Sequence, residues 1–322
     1  MTTSVTVTTG ARLHFGPLAA AGSTGGKFGG VGMMVSAPGY VVSAQVATED
    51  VCLGDQTSCL RGAEFVRRVR EATRDTLALP PVRVEFLETI PSHAGLGSGT
   101  QLGLAVARVL SELAGERDVP SEMLARRAGR GLRSAIGLHG FASGGFLVDG
   151  GRSGSGELGT LVSRIEFPAH WRLILVAPRL SKGLSGAEEQ SAFASQPPMP
   201  PSLTSELCRI ALMEWMPGLI EADFARVSGA MYEFGLRVGR FFEPVQGGVF
   251  AHPLMGQLAD EVRRRGLNGV AQTSWGPTTC VLCEDEKSTR ELMTALEADA
   301  RWGECVFQLT EPLNRGARVE RE

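Results

Sequence analysis

Three scarcities narrow the possibilities before any motif is read. No stretch of the chain approaches the ~20 apolar residues that a helix needs to cross a bilayer. The opening residues MTTSVTVTTGARLHF also lack the basic start and apolar core of a secretory leader. A cytoplasmic protein with no membrane partner is expected. Cysteine is sparse, six residues at positions 52, 59, 208, 280, 283 and 305, too few and too irregular for a secreted disulfide framework. Cys280 and Cys283 form a C-x-x-C, but in the apolar stretch TTCVLCE a strand would turn them to opposite faces, and no second pair accompanies them. Buried apolar roles are expected there rather than zinc. Positive charge is not in excess either. A formal net charge of −3 gives no bulk field for nucleic acid, so an anionic ligand must be met by local groups.

What remains is a well-stocked globular chain without internal repeats or low-complexity tracts. Hydrophobic residues make up 43% and charged residues 21%, neither a disordered nor a membrane balance. At 322 residues the chain exceeds the ~250 at which single cores stop growing, so two domains are expected. The apolar run WRLILVAP reads as a buried strand opening the second, giving domains 1–167 and 168–322.

Periodicity outlines the elements. SVTVTTG, YVVSAQVAT and VRVEFLETI read as strands, with a helix over residues 59–76 between the last two, its Phe65, Val69 and Ala72 inward and its arginines 67, 68 and 70 mostly outward. Leu102, Ala105, Val106, Val109 and Leu113 repeat at helical spacing, with Ser98 as candidate N-cap and Gly115 as terminator. A shorter helix starts at Ser121 and a strand lies near residues 146–148. QPPMPPS, residues 196–202, cannot be helical and is expected to be an exposed connector or lid segment. Helices are then expected over 203–216, 220–241, 253–265 and 286–298, with strands at 278–284 and 305–309.

The stretch PSHAGLGSGTQLGLA, residues 91–105, joins the third strand to the helix after it. Strand, glycine loop and helix start together make an anion site, because the first N–H groups of a helix lack partners and carry partial positive charge. The spacing is neither G-x-x-x-x-G-K-[ST] nor the dinucleotide fingerprint. Taken alone, it fits a phosphate cradle and a helix-capping turn equally well.

PSHAGLGSGTQ resembles the P-x-x-x-G-L-G-S-S phosphate loop of the GHMP kinase superfamily, TTGARLHFG resembles its first motif, and GVAQTSWGPTTCVL its third. Within that superfamily the stretches RLHFG, KFGGVGMMVSAPG, GLGSGTQLGLA, GRGLRSAIGLHGFASGGFLVDGG, GLSGAEEQSAF and QTSWGPT are similar to the β-ribofuranosylaminobenzene 5′-phosphate synthase family, over residues 12–278. The resemblance implies an α+β, GHMP-kinase-like, two-domain fold: a βαβ first domain with the phosphate loop and a ferredoxin-like α/β sandwich after it. It implies decarboxylating phosphoribosyl transfer from phosphoribosyl pyrophosphate to 4-aminobenzoate or a hydroxy analogue, in methanopterin biosynthesis, by a homodimer using magnesium and no organic cofactor. An ATP-dependent small-molecule kinase and a non-catalytic ligand-binding relative are the competing readings. A kinase of the superfamily carries an aspartate shortly before a Gly-Gly. Here no Asp or Glu precedes Gly144-Gly145 until Glu122. An aromatic carbon nucleophile has no hydroxyl proton to surrender and tolerates that loss. Asp149, just beyond, reads as a surface or turn residue.

The candidate catalytic residues are Arg12, His14 two positions along the same strand face, Lys27 in the flexible GGKFGG, and Glu189. Glu189, with Glu188 and Lys182 nearby, is the candidate magnesium ligand or acid–base group, although a charged first helical turn explains it equally. Candidate substrate-binding residues are His93, Gly95, Gly97, Ser98, Gly99 and Thr100 of the loop, Arg133, and Ser274, Trp275 and Thr278 of the last motif. Trp275 suits an aromatic wall and a plain core position alike. The acidic VLCEDEKST is expected to be a strand-to-helix connection.

Overall fold

The structure is a computed structural model in which residues 4–19, 27–154, 156–179 and 196–322 are described. Glu188, Glu189 and Lys182 lie outside them. β1 (Ser4–Pro17) alternates half-buried and buried residues, so Val5, Val7, Ala11 and Leu13 face the core. It pairs antiparallel with β2 (Gly30–Val46), which is long enough to take two neighbours along its other edge. β4 (Val82–Glu88) pairs with its second half and β5 (Phe146–Asp149) with its first. β3 (Val51–Leu53) runs parallel to β4 across helix α1 (Gln56–Thr73), the βαβ unit of this sheet. β6 (Leu161–Ile165) lies outside β5. Helices α2 (Ser98–Leu113) and α4 (Ile136–Ser143) pack against this sheet, and α3 (Ser121–Ala128) packs on α1, α2 and α4.

The second sheet contains β7 (Arg172–Pro178), β8 (Val270–Gln272), β9 (Thr279–Cys283) and β10 (Cys305–Thr310), ordered β10-β7-β9-β8 with every pair antiparallel. Between β7 and β8 come α5 (Pro201–Ile210), a π turn at Ala211–Trp215, α6 (Met216–Glu221), α7 (Phe224–Gln246) and α8 (Pro253–Arg264). α9 (Glu286–Glu297) joins β9 to β10. This β-α-β-β-α-β succession is the ferredoxin-like half that the sequence implied. β7 is buried on both faces. Leu173 and Leu175 join the core shared with the first sheet, whereas Ile174 and Val176 face a separate cluster with Met255, Leu258 and Trp302. Cys280 and Cys283 divide the same way, and burial pushes their thiols up to about 12 and about 11.

All four strands of the second sheet follow residue 168, but the chain then crosses back. β11 (Arg318–Arg321) pairs antiparallel with β1, and Leu313 bonds to Met34 and Gly145 on the way. Some element limits differ from expectation for local reasons. The helix expected from 220 is broken where Ala222 takes φ 54° and Asp223 caps α7 by accepting from Arg226 N. Only part of QPPMPPS is an exposed connector: Met199 is buried and Pro201 opens α5. Asp285 caps α9 through Ser288 N, so the acidic VLCEDEKST is a strand-to-helix connection.

Candidate active site

The glycine loop leaves β4 after Glu88 and enters α2 at Ser98. Gly95 and Gly97 take φ 78° and 72°, where a side chain is strained. Gly97, not Ser98, is the N-cap residue of α2, and Ser98 is its first helical residue. The cap is backbone geometry alone, which leaves the Ser98 hydroxyl to accept from Arg61 Nη1 at 3.4 Å.

Hydrogen bonds draw two distant stretches of sequence to this loop, residues 12–14 and 273–274. Arg12 N donates to Leu96 O at 3.0 Å. Thr273 Oγ1 accepts from His14 N and donates to Gly95 O, both at 2.9 Å. Ser274 N donates to His14 O at 2.7 Å. A Cβ on Gly95 would collide with Thr273 O, so close approach here requires glycine. Gln101, wholly buried, braces the helix behind the loop by accepting from Thr9 Oγ1 and donating to Gly137 O.

Arginines gather at the helix start. Arg12 lies along Gly97, its Nε 3.1 Å from where a Cβ would stand. A Cβ on Gly99 would overlap Arg130 Nη2 and sit 2.8 Å from Arg61 Nη2, which puts the two guanidinium tips within about 5 Å of each other. At that separation two cations repel by about 3 kcal/mol at an effective dielectric of about 20. Arg61 donates to Ser92 Oγ at 2.8 Å and Arg130 Nε to Gly99 O at 3.1 Å. Neither guanidinium has an ion-pair partner among the described residues. Burial, followed by the charges of Arg61, Arg68 and Arg133, pushes Arg130 down to about 10. Its guanidinium stacks 5.1 Å from the Phe65 ring centre.

Arg61, Arg68 and Arg130 were not foreseen as site residues. Arg61, Phe65 and Arg68 fall at i, i+4 and i+7 on α1, a single stripe, and Arg68 Cζ lies 5.9 Å from the Phe65 ring. Arg68 is therefore not purely on the outward face, although it also pairs with Glu64. The stripe was legible. That it faces the start of α2 was not.

The foreseen residues fall into groups. Arg12, Gly95, Gly97, Ser98 and Gly99 meet at the loop, and Arg133 contributes its charge beside Arg130. Thr100 lies in the first turn of α2 and packs against Gly137 of α4. His93, at φ 60°, is exposed at the loop's outer side. Ser274, at φ 53°, enters through its backbone. Trp275 is a core residue, with its ring 4.8 Å from Phe242, and Thr278 is buried with its carbonyl accepting from Thr273 N. Lys27 is exposed, and its backbone pairs with Arg152.

His14 shares the half-buried side of β1 with Arg12, but its Nε2 is shut from solvent and has no hydrogen-bond partner among the described residues. It lies 2.8 Å from where a Gly30 Cβ would stand. Burial, then the Arg12 charge, lowers its pKa to about 3, so it is a neutral imidazole at neutral pH. Asp149 is not at the surface. It is fully buried, accepting from Ala135 N at 2.7 Å and Gly151 N at 2.8 Å, and thereby holds the entry to α4. Burial raises its pKa and the two N–H bonds oppose the rise.

A glycine loop between a strand and a helix in a βαβ-containing sheet, backed by a ferredoxin-like half, defines a GHMP-kinase-type protein. Residues 63–146 match the N-terminal domain of the GHMP kinases. Solved structures agree in fold. A homoserine kinase from Cytophaga hutchinsonii superposes with a TM-score of 0.66 at 14% identity, covering 99% of this chain and 98% of that one. The mevalonate-3-kinase of Thermoplasma acidophilum gives 0.68 at 13%, covering 100% and 99%.

Sequence similarity narrows the class. A β-ribofuranosylphenol 5′-phosphate synthase of Methanothermobacter thermautotrophicus is 30% identical over 306 residues, 89% of this chain and 91% of the relative. Its namesake in Archaeoglobus fulgidus is 28% identical over 342 positions, covering 97% and 98%. The chain belongs to the β-ribofuranosylphenol 5′-phosphate synthase family and is an enzyme of the GHMP superfamily rather than a non-catalytic relative. Among the described residues no helix is long and apolar enough to cross a membrane.

Proposed function

We propose that the enzyme transfers the phosphoribosyl group of phosphoribosyl pyrophosphate to the carboxylate-bearing carbon of 4-hydroxybenzoate or 4-aminobenzoate, releasing carbon dioxide and pyrophosphate. The names of the relatives, which end in a phenol, favour the hydroxy acid. The observation that carries the reading is the charge of the site: arginines 12, 61 and 130 stand at the helix start with the charge of Arg133 acting on Arg130, and the nearest carboxylate after Gly144-Gly145 is committed elsewhere. A kinase needs a base for a hydroxyl proton. Asp149, buried and accepting two backbone N–H groups, is spent on the fold.

The proposed bond changes need no such base. The C1–O bond of ribose breaks and its electron pair leaves with pyrophosphate, while the ring carbon forms the new bond to C1. The pair of the carboxylate C–C bond then returns to the ring as carbon dioxide leaves. The enzyme's part is to hold the anions, stabilise charge growing on the leaving oxygens and keep water from the cationic C1. In this reading Arg12, where the first and second motifs meet, serves the first two tasks. Ser98 and Gly99 open the helix toward the same point.

Among the described residues, no three carboxylates, histidines or cysteines assemble into a metal site. Glu189, the candidate magnesium ligand, lies outside the described residues, and in this reading magnesium enters with the diphosphate oxygens of the substrate, a setting in which it commonly takes only one or two protein carboxylates. The test is to supply purified enzyme with phosphoribosyl pyrophosphate, magnesium and either carboxyl-labelled benzoate. Labelled carbon dioxide and pyrophosphate in equal amounts are expected. Formation of ADP from ATP and an alcohol, with no carbon dioxide from either acid, would overturn the proposal.

A further inference from the structure

Arg61 and Arg130 present a feature that the fold itself does not require. Two guanidinium tips stand within about 5 Å of each other over Gly99, neither with an ion-pair partner among the described residues; Ser92, Ser98 and the Gly99 carbonyl accept from them, while Glu64, whose charge reaches Arg130, pairs with Arg68. They arrive from separate elements, α1 and the turn after α3, so nothing local forces them together. Residue 99 is also where the loop departs from P-x-x-x-G-L-G-S-S: glycine stands in place of the last serine. A Cβ there would stand 2.2 Å from Arg130 Nη2 and 2.8 Å from Arg61 Nη2, so a side chain at 99 would push these two flexible tips away from their present positions.

We infer that Arg61 and Arg130 form a clamp for the diphosphate of the sugar substrate, and that Gly99 is the position that admits it. The inference rests on the proposed use of phosphoribosyl pyrophosphate, which carries two anionic groups that the enzyme must tell apart. A phosphate monoester brings about −1.5 to −2 charges at neutral pH. A diphosphate brings more, on two adjacent phosphoryl groups, and suits two forked cations with Arg68 and Arg133 behind them. The 5′-phosphate then binds elsewhere. The clamp holds the group that departs, so it gains strength as the C1–O bond breaks.

The experiment titrates inorganic pyrophosphate with magnesium, and separately ribose 5-phosphate, into wild-type enzyme and into Arg61→Gln, Arg130→Gln and Gly99→Ser. Thermal unfolding of each variant establishes that it is folded. Should Arg130→Gln fail to fold, Arg130→Lys, which keeps the charge but loses the fork, takes its place. Each folded variant is expected to bind pyrophosphate at least about tenfold more weakly, the loss of one charge-assisted contact. Ribose 5-phosphate is expected to change less than about threefold. Equal losses for both probes, or a loss for ribose 5-phosphate alone, would overturn the inference, as would unchanged pyrophosphate binding in all variants. Failure of the proposed function reads differently: pyrophosphate binding would still depend on the two arginines while no benzoate is decarboxylated. Turnover with pyrophosphate binding intact in the variants would sink the clamp and keep the function.

Discussion

His14 combines a buried, unpartnered Nε2 with a neighbouring cation, and both disfavour its charged form. In the unfolded chain it protonates near the ordinary histidine value of about 6.5, whereas in the folded protein it does so only near about 3. The unfolded state therefore binds the extra proton between those values, and stability falls as pH drops through that window. Above 6.5 the contribution is complete. At pH 4.5 the loss from this residue is about 3 kcal/mol. Thermal unfolding at pH 7 and 4.5 is expected to show a smaller acid shift in His14→Gln than in wild type, and an equal shift would contradict the burial argument. Gly97 tests the loop itself. Alanine there would be forced into the left-handed region, at a cost of about 1 kcal/mol, with its Cβ 3.0 Å from Arg12 Cβ. Carbon dioxide release is expected to fall by at least an order of magnitude, with only a modest change in melting temperature. Turnover near wild type would show that the loop tolerates Arg12 being displaced.

Elements set how precisely those residues meet. α2 is held to β1 and α4 by Gln101, whose amide satisfies Thr9 on one side and the Gly137 carbonyl on the other. Replacing it with leucine removes both of these buried bonds and leaves Thr9 Oγ1 only its 3.3 Å bond to Gly10 O, at a cost of about 1–3 kcal/mol. Calorimetry of Gln101→Leu is expected to show a melting temperature lower by several degrees, at about 2–4 °C per kcal/mol for a chain of this size. Because the same helix presents Ser98 and Gly99, a rise in the Michaelis constant for phosphoribosyl pyrophosphate is expected with it. The sequence exposed most of this level. The alternation in SVTVTTG and the helical spacing from Leu102 to Leu113 located β1 and α2, since both patterns are local. The strip Arg61, Phe65 and Arg68 was equally regular, yet its role depended on α1 lying against the start of α2. Arg130 sits on no periodic face at all, so nothing in its neighbourhood marked it. Asp149 was misread for a related reason. A carboxylate between two glycine pairs reads as a turn at the surface, until α4 is seen to close over it with Ala135 N pointing inward.

Across the whole molecule, the two halves are joined by more than the chain between them. After β10 the backbone returns past Met34 and Gly145 and adds β11 to the outer edge of β1. No local pattern announced that strand, because a pairing between residues 5 and 321 is set by where the second sheet leaves the chain. Arg321 at its end donates twice to Glu112 of α2, at 2.8 and 2.9 Å, and Glu112 is almost wholly buried with Arg108 on its other side. The C-terminus thus anchors the last turn of the helix whose first turn forms the anion site. Arg321→Ala leaves Glu112 with Arg108 alone at 3.5 Å. Since the Arg321 side chain is itself about a third exposed, solvent screening limits its share to about 1 kcal/mol, or about 2–4 °C in melting temperature. Removing residues 318–322 also opens the edge of β1 and is expected to cost clearly more. If the two variants melt together, the ion pair accounts for the whole effect of the tail and β11 adds nothing. If the truncation melts lower and also weakens pyrophosphate binding, β1 transmits the loss to Arg12, which it carries to the loop.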